Sequence, residues 1–304
     1  MPWSSTTFEG SADIHCSVSL SPLDSLADPR LALEALKLLL ALGLLCQWFE
    51  DRKLLRTLGE EPYAQWAILG RDLASNWPKC FRSFAWVFEL KQMSLWFGLR
   101  GLVALSMLFG QSIEPRLQSA SIIVLWISQL LWMIRWRGAL NGGSDLMTLS
   151  LLNGLVLGEA CSLGLWLAGM KPSSIGDQVS LWFIVIQSLS SYVVSGAVKF
   201  RDAAWRNGSA LIHFLDNAVH GPLKSDSLFR RQRVAMLVSW SFILWECAMP
   251  FLLLHPMLAK LACLTALVFH GLVFVYFGLN RFLWAWSSCF PALIYAAYAL
   301  QTTG

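Results

Sequence analysis

The sequence predicts an all-α fold: a polytopic integral membrane helix bundle of about eight transmembrane helices plus a short interfacial helix. Three observations predict it. Only 14% of the 304 residues are charged and 56% are hydrophobic, whereas a soluble domain carries roughly 25% charged residues. Mean hydropathy is correspondingly high, at +0.54. The 16 tryptophans suit a chain with two membrane–water interfaces, where an amphipathic ring is favoured.

The elements follow from apolar runs near the ~20 residues that a bilayer crossing requires. They fall at 31–49, 93–113, 117–136, 145–170, 178–198, 234–254, 257–277 and 281–300. Residues 1–29 hold Glu9, Asp13, Asp24 and Asp28 but no lysine or arginine before Arg30. With neither a basic start nor an apolar stretch they are no signal peptide, and they read as a flexible N-terminal tail. Residues 30–304 then form one transmembrane domain. The run 31–49 is interrupted by Glu34 and Lys37, and 93–113 carries Arg100. Before the fourth run stands Asn141-Gly142-Gly143-Ser144-Asp145. This is turn chemistry, in which glycine supplies positive φ and Ser144 or Asp145 can cap the helix. The same glycines also allow a headgroup or substrate close to the backbone. The run 145–170 is long and glycine-rich, with room for a tilt or break.

Two longer connections remain, 50–92 and 199–233. In the second, Leu211, Phe214, Leu215 and Ala218 recur at helical spacing, which predicts a short interfacial or re-entrant helix. With eight spans, Arg52, Lys53, Arg56, Lys199, Arg206 and Arg230 lie on one side, where most loop cations collect. Arg30, Arg116, Lys171 and Lys260 lie on the other. The positive-inside rule makes loops 50–92 and 199–233 cytoplasmic. The basic stretch 224–233 suits anionic lipid better than nucleic acid.

Ionisable groups inside spans are expensive and are functional candidates by default. They are Arg100, Glu159, Glu246 and His270. The plain reading is that such groups pair with each other and fasten the bundle. Glu246 and His270 stand out because they sit near the middles of consecutive runs. Lys199 closes the fifth run, in "GAVKFRDAAWRNGSALIHFL". As an anchor it would snorkel to headgroups. In a water-poor pocket, a lysine's neutral form is a base or nucleophile. Trp205, Gly208, Ser209 and Ala210 would then wall that pocket. The seven cysteines form no CxxC pair, no spacing matches a metal site, and no nucleotide-binding or hydrolase motif is present. The cofactor is unknown from the residues.

Four stretches together resemble the horizontally transferred transmembrane (HTTM) domain family. They are "PRLALEALKLLLALGLLCQWFEDRKLLR", "FGQSIEPRLQSA" with "RGALNGGSDLMTLSLL", "SSYVVSGAVKFRDAAWRNGSAL", and "LWECAMPFLLL" with "VFHGLVFVYFGLNRFLWA". The family is related to the membrane domain of vitamin K-dependent gamma-glutamyl carboxylase and to a sporulation-delaying toxin maturation membrane protein. The resemblance implies a multi-helix membrane fold. It also implies a lysine base, Lys199, of the kind that deprotonates reduced vitamin K, with Glu246 and His270 as partners. Trp205, Gly208, Gly143, Asp145 and Arg100 would be pocket residues. The carboxylase carries two adjacent lysines in this stretch and a histidine where this chain reads "NGGSD". The chain also shows no counterpart of the carboxylase's large extramembrane domain, so a full peptide carboxylase is not expected.

Two functional classes stay open. One is a membrane-embedded enzyme or peptide-maturation factor acting on a lipid, quinone or peptide at Lys199. The other is a non-catalytic factor binding lipid or a partner protein. A transporter is disfavoured because the chain lacks the internal symmetry of transporter halves.

Overall fold

The computed structural model describes residues 22–60, 65–76, 78, 83–109, 114–136, 142–170 and 174–302. The long helices are α1 (Pro29–Glu60), α4 (Leu90–Met107), α5 (Pro115–Trp136), α6 (Gly142–Leu167), α7 (Ile175–Arg201), α10 (Gln232–Leu252) and α11 (Pro256–Phe277). Short helices α2 (Trp66–Leu69) and α3 (Arg71–Asn76) follow α1, and α8 (Ala203–Arg206) and α9 (Ser209–Asp216) follow α7. The chain closes with α12 (Asn280–Ser287) and α13 (Phe290–Thr302). Among the described residues there is no strand.

Among the described residues, seven helical segments are long and apolar enough to cross a membrane: Pro29–Thr57, Arg116–Trp136, Gly142–Leu167, Ile175–Arg201, Gln232–Leu252, Pro256–Phe277 and Asn280–Thr302. The chain is therefore an all-α, multi-pass membrane protein. The remaining expected run, 93–113, falls on α4, which Lys91, Gln92 and Arg100 make more polar than these seven segments. At ~1.5 Å per residue its 18 residues still cover most of a bilayer core.

Neighbouring helices alternate in direction, as their cross-links show. Between α5 and α6 the ladder runs Ser119–Glu159 at 2.6 Å, Trp126–Asn153 at 2.7 Å and Gln129 to the Asp145 carbonyl at 3.2 Å. Trp48 on α1 donates its indole N–H to the Phe97 carbonyl of α4 at 3.0 Å, while Met107 at the other end of α4 packs near Leu31 and Ala35. The last span is the most buried of the seven. It breaks between α12 and α13 because Pro291 has no N–H to offer the carbonyl of Ser287. With α1, it forms the centre of the bundle.

The described part of the expected tail is packed. Leu26 is buried, and Asp24 accepts from both Lys260 on α11 and Tyr298 on α13. The ordered domain thus reaches back at least to Pro22, and residues 1–21 lie outside the described residues. Helix α1 continues to Glu60, well past the expected end at 49. The connection 50–92 therefore starts as helix, and Trp66 on α2 is buried beneath the Arg135 guanidinium, 5.7 Å from its ring. Loops 50–92 and 199–233 emerge at the same end of the bundle, because α1 and α7 run in the same direction.

Candidate functional site

The site grows from one face of α7. Tyr192, Ser195 and Lys199 are spaced three and four apart, so their side chains stack along one stripe of the helix. Lys199 does not snorkel. Its Nζ donates to Ser195 Oγ at 2.6 Å and to both carboxylate oxygens of Glu246 on α10, each at 2.7 Å. Ser195 Oγ in turn donates to Glu246 Oε1 at 3.2 Å. The two charged side chains are 15% and 5% exposed, so the pair is shielded. Two such charges can share an apolar bundle only if each is paired and hydrogen-bonded.

The segment after Lys199 folds back to complete the wall. Asp202 leaves the helix in an extended conformation and caps α8 by accepting from the Ala204 N–H at 2.9 Å. That turn returns Trp205 to the lysine, with Nζ 5.4 Å from the indole centroid, a cation–π distance. The indole then lies 5.5 Å from Phe214 of α9. Gly208 joins α8 to α9 at φ +84. A Cβ there would stand 2.7 Å from the Ala235 carbonyl carbon, so α9 can lie against α10 only over a glycine. The predicted short helix is α9, with Leu211 and Leu215 buried and Phe214 exposed.

His270 on α11 reaches the site by a second route. It is 1% exposed, its Nε2 lies 2.9 Å from the Tyr192 hydroxyl, and its ring stacks on Trp286 of α12 at 5.4 Å. Among the described residues its Nδ1 has no hydrogen-bond partner.

These groups share a cavity of ≈ 390 Å³, within the range of ligand sites. Lys199, Glu246 and His270 all line it, together with Gly143, Tyr192 and Trp286. Ser150, Gln187, Ser191 and Ser195 add hydroxyl and amide groups. A second cavity of ≈ 470 Å³ adjoins it, walled by α9, α10 and α11. Its lining is apolar apart from Lys199, the Tyr276 hydroxyl and the indole N–H of Trp205.

Three of the eight candidate residues are placed otherwise. Arg100 donates to Gln47 at 2.8 Å, Gln129 at 2.6 Å and Ser128 at 3.2 Å. Asp145 accepts from Gln47 at 3.2 Å, so its carboxylate faces α1. Neither lines the Lys199 cavity; they tie α1, α4, α5 and α6 together, beside the Arg281–Glu50 and Arg281–Asp51 ion pairs. Gly208 serves backbone packing. Gly143 does line the cavity. Tyr192, Ser195 and Trp286 were not singled out from sequence. For the first two the signal was available in their spacing ahead of Lys199.

Among the described residues no group of three histidine, cysteine, aspartate or glutamate side chains could hold a metal ion. Comparison with protein-family models, characterised proteins and solved structures finds no match for this chain.

Proposed function

We propose that this chain is a membrane-embedded enzyme of the HTTM and gamma-carboxylase-like kind, acting on a lipid, quinone or peptide at Lys199. The observation that carries the reading is the Lys199–Glu246 pair on the wall of a ligand-sized cavity that His270 also lines. A purely structural ion pair needs no cavity beside it.

The pair can handle a proton without changing its net charge. Transfer from Nζ to the Glu246 carboxylate leaves a neutral amine and a neutral acid. The amine can then take a proton from an acidic O–H of a substrate, giving a substrate anion beside the lysine ammonium. Ser195 holds the pair in register, and Trp205 favours the ammonium formed. His270, held by Tyr192, is a second group able to exchange a proton with the substrate. In this reading the basic loops 50–92 and 199–233 face the cytoplasm, so the substrate is met from that leaflet.

The second reading is a non-catalytic factor that binds a lipid or a partner peptide. The adjoining apolar cavity favours it as much as it favours an enzyme. Native mass spectrometry of gently purified wild type beside Lys199→Ala separates anchor from pocket. A discrete bound molecule, present in wild type and lost in the variant, supports the pocket, and turnover of that molecule would establish the enzyme. Bulk phospholipid alone on both proteins would overturn both pocket readings.

A further inference from the structure

The two cavities meet at Lys199, Phe269 and Phe282, which line both. One side of the junction offers hydroxyl and amide groups. The other offers Leu211, Phe229, Val238, Phe242, Val273 and Phe277. Phe214, Leu272 and Tyr276 stand exposed at its edge, on the surface of the bundle where lipid lies.

We infer that the paired cavities bind a single-chain neutral amphiphile with a polyol head, such as a glycerol or sugar ester. The head occupies the polar cavity and the hydrocarbon chain lies in the groove between α9, α10 and α11. This rests on the proposed pocket but not on catalysis.

Charge selects the neutral head. The cation and anion on the cavity wall are spent on each other, so an ionised head would be desolvated without a counter-charge. Hydrogen bonding selects the polyol. Ser150, Gln187 and Ser191 present both donors and acceptors. A head bearing hydroxyls satisfies both kinds, whereas a quinone ring bears only acceptors. The groove selects the chain: apolar walls in contact with the bilayer gain little from a polar occupant. Its continuity with the polar cavity at Lys199, Phe269 and Phe282 lets one molecule fill both parts.

The test uses a monoacylglycerol with a diazirine in its acyl chain, photolysed on the purified full chain, with the labelled positions mapped by mass spectrometry. Labels should fall on α10 and α11 around Val238, Phe242 and Val273. Val273→Trp and Val238→Trp, each checked for a monodisperse folded profile, should cut labelling about tenfold, a loss of one decade in affinity. Unlabelled monoacylglycerol and an alkyl glucoside should compete. A fatty acid, phosphatidylcholine and a quinone with the same chain should not. Labelling indifferent to both tryptophan variants would overturn the groove. Equal competition by phosphatidylcholine would make it a bulk-lipid surface, and competition by the quinone alone would overturn the polyol head. Turnover by the wild type separates this inference from catalysis: labelling in the groove with no turnover leaves this inference alone standing, and turnover of the molecule found by native mass spectrometry with no labelling in the groove overturns this inference alone.

Discussion

Lys199 and Glu246 stand 47 residues apart in the chain, yet Nζ lies 2.7 Å from both oxygens of the carboxylate. One residue lies in the last turn of α7 and the other sits inside α10. Their pairing fastens these helices and at the same time places a polar centre on the cavity wall. Gly196 makes the approach feasible: a Cβ there would stand 2.7 Å from Cys247 Sγ and 3.1 Å from Glu246 Cβ.

Breaking the pair from one side should cost more than removing it. Lys199→Met or Glu246→Leu alone leaves a buried charge unpaired, at a cost of about 3–5 kcal/mol. The double variant removes both charges and should recover most of that loss. Thermal unfolding in detergent of the wild type, both single variants and the double variant reads the coupling. Simple additivity would mean that the charges do not depend on one another. The double variant should still be inactive if Lys199 is the base, which separates stability from chemistry.

Gly208 should tolerate nothing larger than hydrogen. Gly221 has nearly the same φ, +82, but open space around its Cβ position. Gly221→Ala should therefore cost about 1 kcal/mol for backbone strain alone. Gly208→Ala should cost clearly more, because its Cβ collides with the backbone of Ala235 and Met236. The variant should also shift α9 and loosen the groove, read as faster proteolysis within 203–231. Equal losses from the two alanines would refute the packing role.

Much of this architecture was legible in the residues. The apolar runs located the long helices, and the 3.6-residue spacing of Leu211, Phe214 and Leu215 located α9. Lys199, Glu246 and His270 stood out because charge in a lipid-facing segment demands a partner. Which partner was illegible, since hydropathy gives depth along a helix but not rotation about its axis. Arg100 and Asp145 illustrate this: both are buried polar groups, yet they turn toward Gln47 and away from Lys199. A further signal went unread. Gly154 and Gly158 form a small-residue stripe, and a Cβ on Gly158 would meet the Gly176 carbonyl oxygen at 2.5 Å, the close approach that such stripes permit between membrane helices.

Arg100 should prove structural. Its fork reaches three acceptors on α1 and α5 at once, and a lysine's point charge cannot reproduce that geometry. Arg100→Lys should lower the melting temperature in detergent, by an amount corresponding to about 1–3 kcal/mol for the acceptors left unpaired. It should leave the photolabelling at α10 and α11 unchanged, because Arg100 does not line the cavity. A loss of labelling in a variant that remains folded would move Arg100 back into the binding site.

Tyr192 should matter to both stability and chemistry, and the two can be separated. Its hydroxyl lies on His270 Nε2 at 2.9 Å, and its ring packs on Trp286 at 4.8 Å and Trp245 at 5.3 Å. Tyr192→Phe keeps the ring contacts and removes only the hydroxyl. The buried imidazole then loses its hydrogen-bond partner on that nitrogen, at a cost of about 1–3 kcal/mol. If His270 exchanges a proton with the substrate, the ring must be held in one orientation and one tautomer, which the hydroxyl does. Turnover of the molecule identified by native mass spectrometry should then fall further in Tyr192→Phe than in Trp245→Phe, a control that disturbs the same cluster without touching the imidazole hydrogen bond. Equal activity losses at equal stability would reduce Tyr192 to packing and remove His270 from the chemistry.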